Sequence, residues 1–299
     1  MILVGAGGQL GRALSFALGS TAHRKLTRQE LDLSNPALGD EAISRAFGRE
    51  NPRAVLLAAA FTAVDRAETE PELARQVNSV APALIARWCE SRGVPLVHFS
   101  TDYVFDGSGD RPWKETDETQ PLNIYGATKR AGEQGIQASG AKHLIFRTSW
   151  VFSEKGSSFL QTVLRLGAER ETLEVVSDQM GSPTWAADLA RASLQALDVA
   201  VAAEHFPSGI YHLCGQGEIS WNGFAREIAR LARAQGTGFA LQPEGIRPIL
   251  SAEYRAKNPL IAVRPLNSRL DCGLAQVKFG LLLPKWSESL AACLKGVKK

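Results

Sequence analysis

Residues 2–11 read Ile2-Leu-Val-Gly-Ala-Gly-Gly-Gln-Leu-Gly11, a short apolar strand that runs straight into a glycine turn and then into a helical pattern over Gln9 to Leu18. The glycines fail the spacing GxGxxG, because Leu10 stands at its last position, and satisfy GxxGxxG at Gly5, Gly8 and Gly11. Glycine at such places lets backbone N–H groups come close to a pyrophosphate, and the helix N-terminus adds partial positive charge. Strand, phosphate-gripping turn and helix, in that order, open a nucleotide-binding α/β sheet.

The rest of the first half repeats this alternation. Ile2 to Val4, Ala54 to Leu57, Pro95 to Phe99 and Leu144 to Phe146 are continuous apolar runs, which predicts strands buried on both faces. Gln9 to Leu18, Pro71 to Arg92 and Pro121 to Ala138 carry helical spacing between them. This succession implies parallel pairing with right-handed crossovers, hence a doubly wound parallel sheet of the α/β class, Rossmann-like in build. Past Trp150 the elements shorten. Helices are predicted over Trp185 to Ala203 and Ser220 to Ala234, the second capped by Ser220. Gln242 to Asn267 holds Pro243, Pro248, Pro259 and Pro265 and is read as an extended, looping segment.

The chain has 299 residues, with 34 basic and 31 acidic side chains and a net charge of +3. That balance argues against nucleic-acid wrapping or membrane docking. At 44% apolar and 22% charged it can bury a sizeable core. Cys89, Cys214, Cys272 and Cys293 form no CxxC pair and read as small buried residues in a reducing compartment. The start carries no signal-peptide pattern, and the longest apolar stretch, Ala54 to Phe61, is far below the roughly 18 residues of a membrane span. The protein is therefore expected in the cytoplasm.

Two features bear on which nicotinamide cofactor the turn would hold. Asp32 lies 21 residues past Gly11, where an acid can take a ribose 2'-hydroxyl. Thr27 and Arg28 follow the second strand directly, after Arg24 and Lys25, and a hydroxyl with cations suits a 2'-phosphate. The balance favours NADPH, with NADH tolerated.

Tyr125 and Lys129 stand at i and i+4 on a predicted helix and so share one face. Ser100-Thr-Asp-Tyr103 closes the fourth strand, at the sheet end where open α/β folds bind ligands. A phenol with an ordinary pKa near 10 is a poor acid at neutral pH, and an adjacent ammonium together with an oxidised nicotinamide is expected to lower it. Tyr125 would then give a proton to the alkoxide formed when hydride reaches a carbonyl carbon, and Thr101 would donate a second hydrogen bond to that oxygen.

These motifs resemble the extended short-chain dehydrogenase/reductases and, within them, the dTDP-4-dehydrorhamnose reductase family. The likeness extends over Ala58-Ala-Ala-Phe-Thr-Ala-Val-Asp65, Ser100-Thr-Asp-Tyr-Val-Phe-Asp-Gly107, Pro121-Leu-Asn-Ile-Tyr-Gly126, Arg147-Thr-Ser-Trp-Val151, Asp178-Gln-Met-Gly-Ser-Pro-Thr184 and Arg264-Pro-Leu-Asn-Ser-Arg-Leu270, from end to end of the chain. It implies hydride transfer from NAD(P)H to C4 of dTDP-4-dehydro-L-rhamnose, the last step of dTDP-L-rhamnose synthesis. By that resemblance Gly8, Gln9 and Leu10 hold the pyrophosphate, Asp32 and Leu33 flank the adenine, and Ala60, Phe61, Thr62 and Phe99 line the cofactor. Thr101, Asp102 and Trp150 meet the sugar. Residues 1–152 are expected to form the NAD(P)-binding domain, rejoined by part of 172–205, and 153–299 a smaller, mixed α/β and mainly substrate-binding one.

Where related dehydratases carry a proton-abstracting glutamate this chain has Tyr103, which favours simple reduction. Leu57 replaces an asparagine frequent in the family, so one polar contact is expected to be missing there. Some members dimerise through a carboxylate-held magnesium ion; the matching positions here are Ala13, Ala187 and Ser287, so the enzyme is expected to need no metal and to be a monomer or a dimer not bridged by one. His98 reads as a satisfied core histidine rather than a base, and Trp185 as a core aromatic. Arg264 and Arg269 are candidates to clamp the substrate's diphosphate. A nucleotide-sugar epimerase and a cofactor-binding regulatory subunit are the rival readings. Net oxidation of NADPH separates the first, and the intact Thr101, Tyr125 and Lys129 argue against the second.

Overall fold

The computed structural model describes residues 1–49, 51–236 and 239–297. β1 (Ile2–Val4) leads through the glycine turn into α1 (Gln9–Leu18), followed by β2 (Arg24–Leu26), α2 (Asp40–Phe47) and β3 (Val55–Leu57). A helical run comes next: α3 (Val64–Thr69), α4 (Pro71–Arg75) and α5 (Ala81–Arg92), the last two joined by a π-helical turn over Gln76–Val80. Then come β4 (Leu96–Thr101), α6 (Ile124–Ala138) and β5 (His143–Thr148). The one helix expected from Pro71 to Arg92 thus contains a wide turn. It brings Asn78 to the backbone of Phe61, accepting from its N–H at 2.9 Å and donating to its carbonyl at 3.0 Å.

Beyond β5 lie β6 (Val151–Phe152), α7 (Phe159–Glu169), β7 (Leu173–Val176), β8 (Met180–Gly181), β9 (Thr184–Trp185), α8 (Ala186–Ala202) and β10 (Gly209–His212). The chain ends with β11 (Ile219–Ser220), α9 (Trp221–Ala234), β12 (Ile246–Ile249), α10 (Ser251–Lys257), β13 (Asn267–Ser268), α11 (Gly273–Phe279) and α12 (Trp286–Val297). Ser220 caps α9 as expected, its side chain accepting from Gly223 N–H. The looping reading of 242–267 is corrected: β12 pairs in parallel with β7, and α10 follows. Pro248 is tolerated because a two-stranded ribbon consists of edges. Asp178 holds the start of α10 by accepting from the N–H and hydroxyl of Ser251.

Six strands form one wholly parallel sheet in the order β10-β5-β4-β3-β1-β2. The chain leaves β1 for β2 on one side and returns to β3 on the other, which opens a crevice at the carboxyl ends of β1 and β3. Leu26, Ile43, Leu57, Ile85, Trp88 and Ile145 fill one face of the sheet. Leu3, Leu14, Phe99, Phe146, Leu189 and Leu197 fill the other, where α8 returns to pack on α1. A further core, with Phe152, Val163, Phe224, Ile228 and Leu290, supports the second half.

Candidate active site

A cavity of about 760 Å³ opens at the carboxyl ends of β1, β3 and β4, within the range of pockets that take a cofactor or substrate. Gly5, Gly8, Gln9 and Leu10 line it from the glycine turn, Thr27, Arg28, Asp32 and Leu33 from beyond β2, and Ala60, Phe61 and Thr62 from beyond β3. Phe99, Thr101 and Asp102 close it at the end of β4, Tyr125 and Lys129 face it from α6, and Trp150 stands at its far side. Of the expected site residues Gly11, Arg264 and Arg269 lie outside the lining.

Gly5 has a φ of +87°, and a Cβ there would lie 2.6 Å from the backbone nitrogen of Ala59. The turn therefore touches the exit of β3. Gly11 serves packing rather than ligand contact, since a Cβ on it would meet Gly5 O at 2.0 Å. Gly8 begins α1 with no side-chain cap, which leaves first-turn N–H groups for an anion. Gln9 reaches across to donate to Ser157 O at 2.7 Å and to accept from Ser153 Oγ at 2.7 Å, while Arg12 donates to Lys155 O at 2.9 Å. Residues 153–157 are thereby tied to the start of α1. A dinucleotide fits this cradle: bare N–H groups meet the phosphates, and a polar, cationic loop sits at the adenosine end.

In that loop Asp32 accepts from Ser34 N–H at 3.0 Å and from Arg28 Nε at 3.2 Å, and the Ser34 bonds hold its carboxyl below the usual range. Arg28 keeps 76% of its side chain exposed beside the cavity.

On the reacting side, Asn123 caps α6 by accepting from Gly126 N–H at 2.8 Å and ties the helix start to the second half by donating to Val263 O at 2.8 Å. Gly126 lets α6 approach the turn that follows β4, since its Cβ would lie 2.1 Å from Tyr103 O. Tyr125 follows in the first turn and Lys129 one turn on. Lys129 is 1% exposed; its Nζ donates to Phe99 O at 2.6 Å and lies 3.1 Å from His98 Nε2. Burial lowers the ammonium to about 8, opposed by Glu133, which Arg147 grips with two hydrogen bonds at 2.9 and 2.7 Å. Lys129 is not among the groups that shift the Tyr125 phenol in this arrangement. Burial pushes the phenol up to about 12, a hydrogen bond shared with Thr101 pulls the other way, and the lysine is turned toward β4. His98 is buried as expected, yet its Nδ1 has no partner among the described residues, so it is only half satisfied there.

Thr101 Oγ1 donates to Asp102 Oδ1 at 3.1 Å, and burial lifts that carboxyl to about 7. Tyr103 packs edge-on against Tyr125, ring centroids 5.5 Å apart. Trp150 has a φ of +48°, the sole positive value at a non-glycine among the described residues. Its ring stacks on Trp221 at 3.6 Å, and Gly181 makes room for it, since a Cβ there would sit 2.5 Å from the indole. Trp221, Tyr103, Arg66 and Thr148 also line the cavity. The sequence reading missed Trp221, which stood there only as the first residue after a helix cap. Arg264 donates to both oxygens of Asp65, at 3.1 and 2.9 Å, and Arg269 is held by Glu218 and Asn267, so both guanidiniums expected to clamp the diphosphate are engaged within the chain here. Trp185 donates to Glu154 at 3.0 Å from the rim of the third core.

A parallel sheet with a glycine turn at its switch point, a hydroxyl at the end of β4 and a half-buried tyrosine one turn before a buried lysine is the build of a short-chain dehydrogenase/reductase. More closely, the chain belongs to the RmlD substrate binding domain family, whose model matches residues 1–299. It is 42% identical over 291 residues to the dTDP-4-dehydrorhamnose reductase of Salmonella typhimurium, covering 96% of this chain and 94% of that one. Its fold is similar to that of a dTDP-4-dehydrorhamnose reductase from Clostridium acetobutylicum, with a TM-score of 0.88, 34% identity and coverage of 100% and 99%. The reductase of Bacillus anthracis, solved in complex with NADP, matches at a TM-score of 0.87 and 32% identity, covering 99% of this chain and 98% of that one.

Proposed function

We propose that this chain reduces the C4 keto group of dTDP-4-dehydro-L-rhamnose to give dTDP-L-rhamnose, using NADPH and tolerating NADH. One observation carries the reading: Thr101, Tyr125 and Lys129 face a single cavity that begins at the glycine turn. Full-length identity to reductases of that name supports the choice of substrate. NADPH, when bound, supplies the hydride.

The residues divide the remaining work. Gly5, Gly8, Gln9 and Leu10 hold the pyrophosphate, with Gly11 giving the turn its shape. Thr27 and Arg28 take the 2'-phosphate, Asp32 and Leu33 flank the adenine, and Ala60, Phe61, Thr62 and Phe99 wall the cofactor. Lys129 keeps a positive charge beside Tyr125, and Tyr125 delivers the proton to the substrate's O4 while the Thr101 hydroxyl, rotated away from Asp102 Oδ1, donates a hydrogen bond to it. Asp102 and Trp150 orient the sugar. We assign residues 1–152 and the returning part of 172–205 to the cofactor and the rest of 153–299 mainly to the substrate. In support, α8 packs on α1 while a separate core underlies α7 and α9. Four free cysteines agree with a cytoplasmic setting, and no helix among the described residues is long and apolar enough to cross a membrane.

The test is consumption of NADPH and of NADH against a small panel of 4-keto nucleotide sugars. Stoichiometric loss of NADPH with dTDP-4-dehydro-L-rhamnose is expected. Isomerised sugar without net oxidation would make the chain an epimerase, and binding without turnover a regulatory subunit.

A further inference from the structure

We propose that His98 is a positioning residue for Lys129: its unprotonated Nε2 and the Phe99 carbonyl take two of the three ammonium protons and leave the third directed to the cavity. The proposal rests on the role given to Lys129 above.

His98 lies on β4, on the face that meets α6, and is 1% exposed. Its Nε2 is 3.1 Å from Lys129 Nζ, and its Nδ1 has no hydrogen-bond partner among the described residues. A buried ring ordinarily adopts the tautomer that satisfies both nitrogens. An ammonium has protons to give and no lone pair to receive one, so an Nε2–H would set donor against donor. Nε2 is therefore the acceptor, the proton sits on Nδ1, and the fold leaves that N–H unpaired to keep the contact.

The one titratable group that acts on the pair from α6 is Glu133, which favours the charged lysine. Glu133 is occupied by two hydrogen bonds from Arg147. Burial first, and the Lys129 charge next, hold the imidazole well below its ordinary pKa, so His98 stays neutral wherever the lysine is charged. Neutrality suits the role. A carboxylate at that place would cancel the ammonium's charge, whereas an imidazole nitrogen fixes its direction and leaves the charge to act on Tyr125 and on whatever occupies the cavity.

Nitrogen-15 NMR of the histidine rings tests this in the intact protein, the His98 signal being identified by its loss in His98→Gln. The neutral Nδ1–H tautomer with an unprotonated Nε2 is expected from about pH 6 to about pH 7, where the lysine is charged; an Nε2–H tautomer in that range overturns the proposal. Carbon-13 NMR of labelled lysines then follows Lys129, identified by its loss in Lys129→Met. Its titration midpoint is expected to fall by about one pH unit in His98→Phe and to recover in His98→Gln, which restores an acceptor. An unchanged midpoint in His98→Phe, or an equal fall in both variants, also overturns it. Should His98→Phe not fold, the tautomer measurement on the native protein still decides. Neither readout involves turnover, so both succeed or fail separately from the reductase reading, which NADPH consumption tests.

Discussion

Asp102 is a carboxyl of 2% exposure whose charged form is supported by the Ser268 and Thr101 hydroxyls rather than by a cation. Its pKa is pushed up to about 7 by burial, while in the unfolded chain it ionises near 3.8. Between those values the folded state keeps a proton that the unfolded state has released, so stability falls as pH rises from 3.8 to 7 and the cost is complete above 7. Asp102→Asn should therefore stabilise the fold at pH 8 by about 3 to 4 kcal/mol. The gain should fade toward pH 4 in urea titrations, while turnover drops. Equal stability of the two proteins at pH 8 would contradict the buried, uncompensated carboxyl. The same end of β4 marks what single residues reveal in sequence. Tyr125 and Lys129 were legible because helical spacing alone puts them on one face, and Thr101 because it closes a strand. Arg264 was not: its partner Asp65 lies 199 residues away, and only the folded chain shows the guanidinium already engaged. Trp221 was hidden for the same reason, since its contact with Trp150 joins α9 to the end of β5.

At the scale of elements, the junctions decide how the site is held. The glycine turn works by contact: Gly11 admits the backbone of Gly5, and Gly8 frees the start of α1. Gly11→Ala should cost roughly 2 to 3 kcal/mol through overpacking. Gly8→Ala, whose Cβ meets only Gly5 O at an ordinary 3.5 Å, should cost no more than about 1 kcal/mol and act chiefly on cofactor affinity. Comparable denaturation midpoints for the two variants would refute that division. Asn123 caps α6 just before Tyr125 and binds Val263 O, so Asn123→Ala should lose about 1 to 2 kcal/mol of stability and lower kcat as the tyrosine's turn loosens. Thermal melts and steady-state kinetics read both; an unaltered kcat would show that the cap does not position Tyr125. The central strands and α1 were legible because continuous apolar runs and helical spacing are local signals. The turn over Gln76–Val80 was not, because one wide turn barely disturbs a helical repeat. α10 was masked by the prolines that flank it, which read as loop formers although they only bound a short helix.

Across the whole molecule, a six-stranded parallel sheet carries the cofactor side, and the second half brings Trp221 and the backbone of Val263 to its carboxyl edge. The parallel sheet was readable from the alternation of strands and helices. The return of α8 and β10 to it was only partly so, because pairing between segments far apart leaves no local mark. By the resemblance to members that dimerise through magnesium, the matching positions are expected to be Ala13, Ala187 and Ser287, none of them acidic, so EDTA should leave turnover unchanged, and a chelator that abolished it would contradict that expectation. The account as a whole turns on a half-buried phenol acting as the proton donor beside a charged lysine, and Tyr125→Phe addresses it most directly, with NADPH affinity and kcat measured on the same preparation. NADPH should bind within about twofold of the native protein while kcat falls about 100-fold or more. Native turnover in the variant would contradict the account.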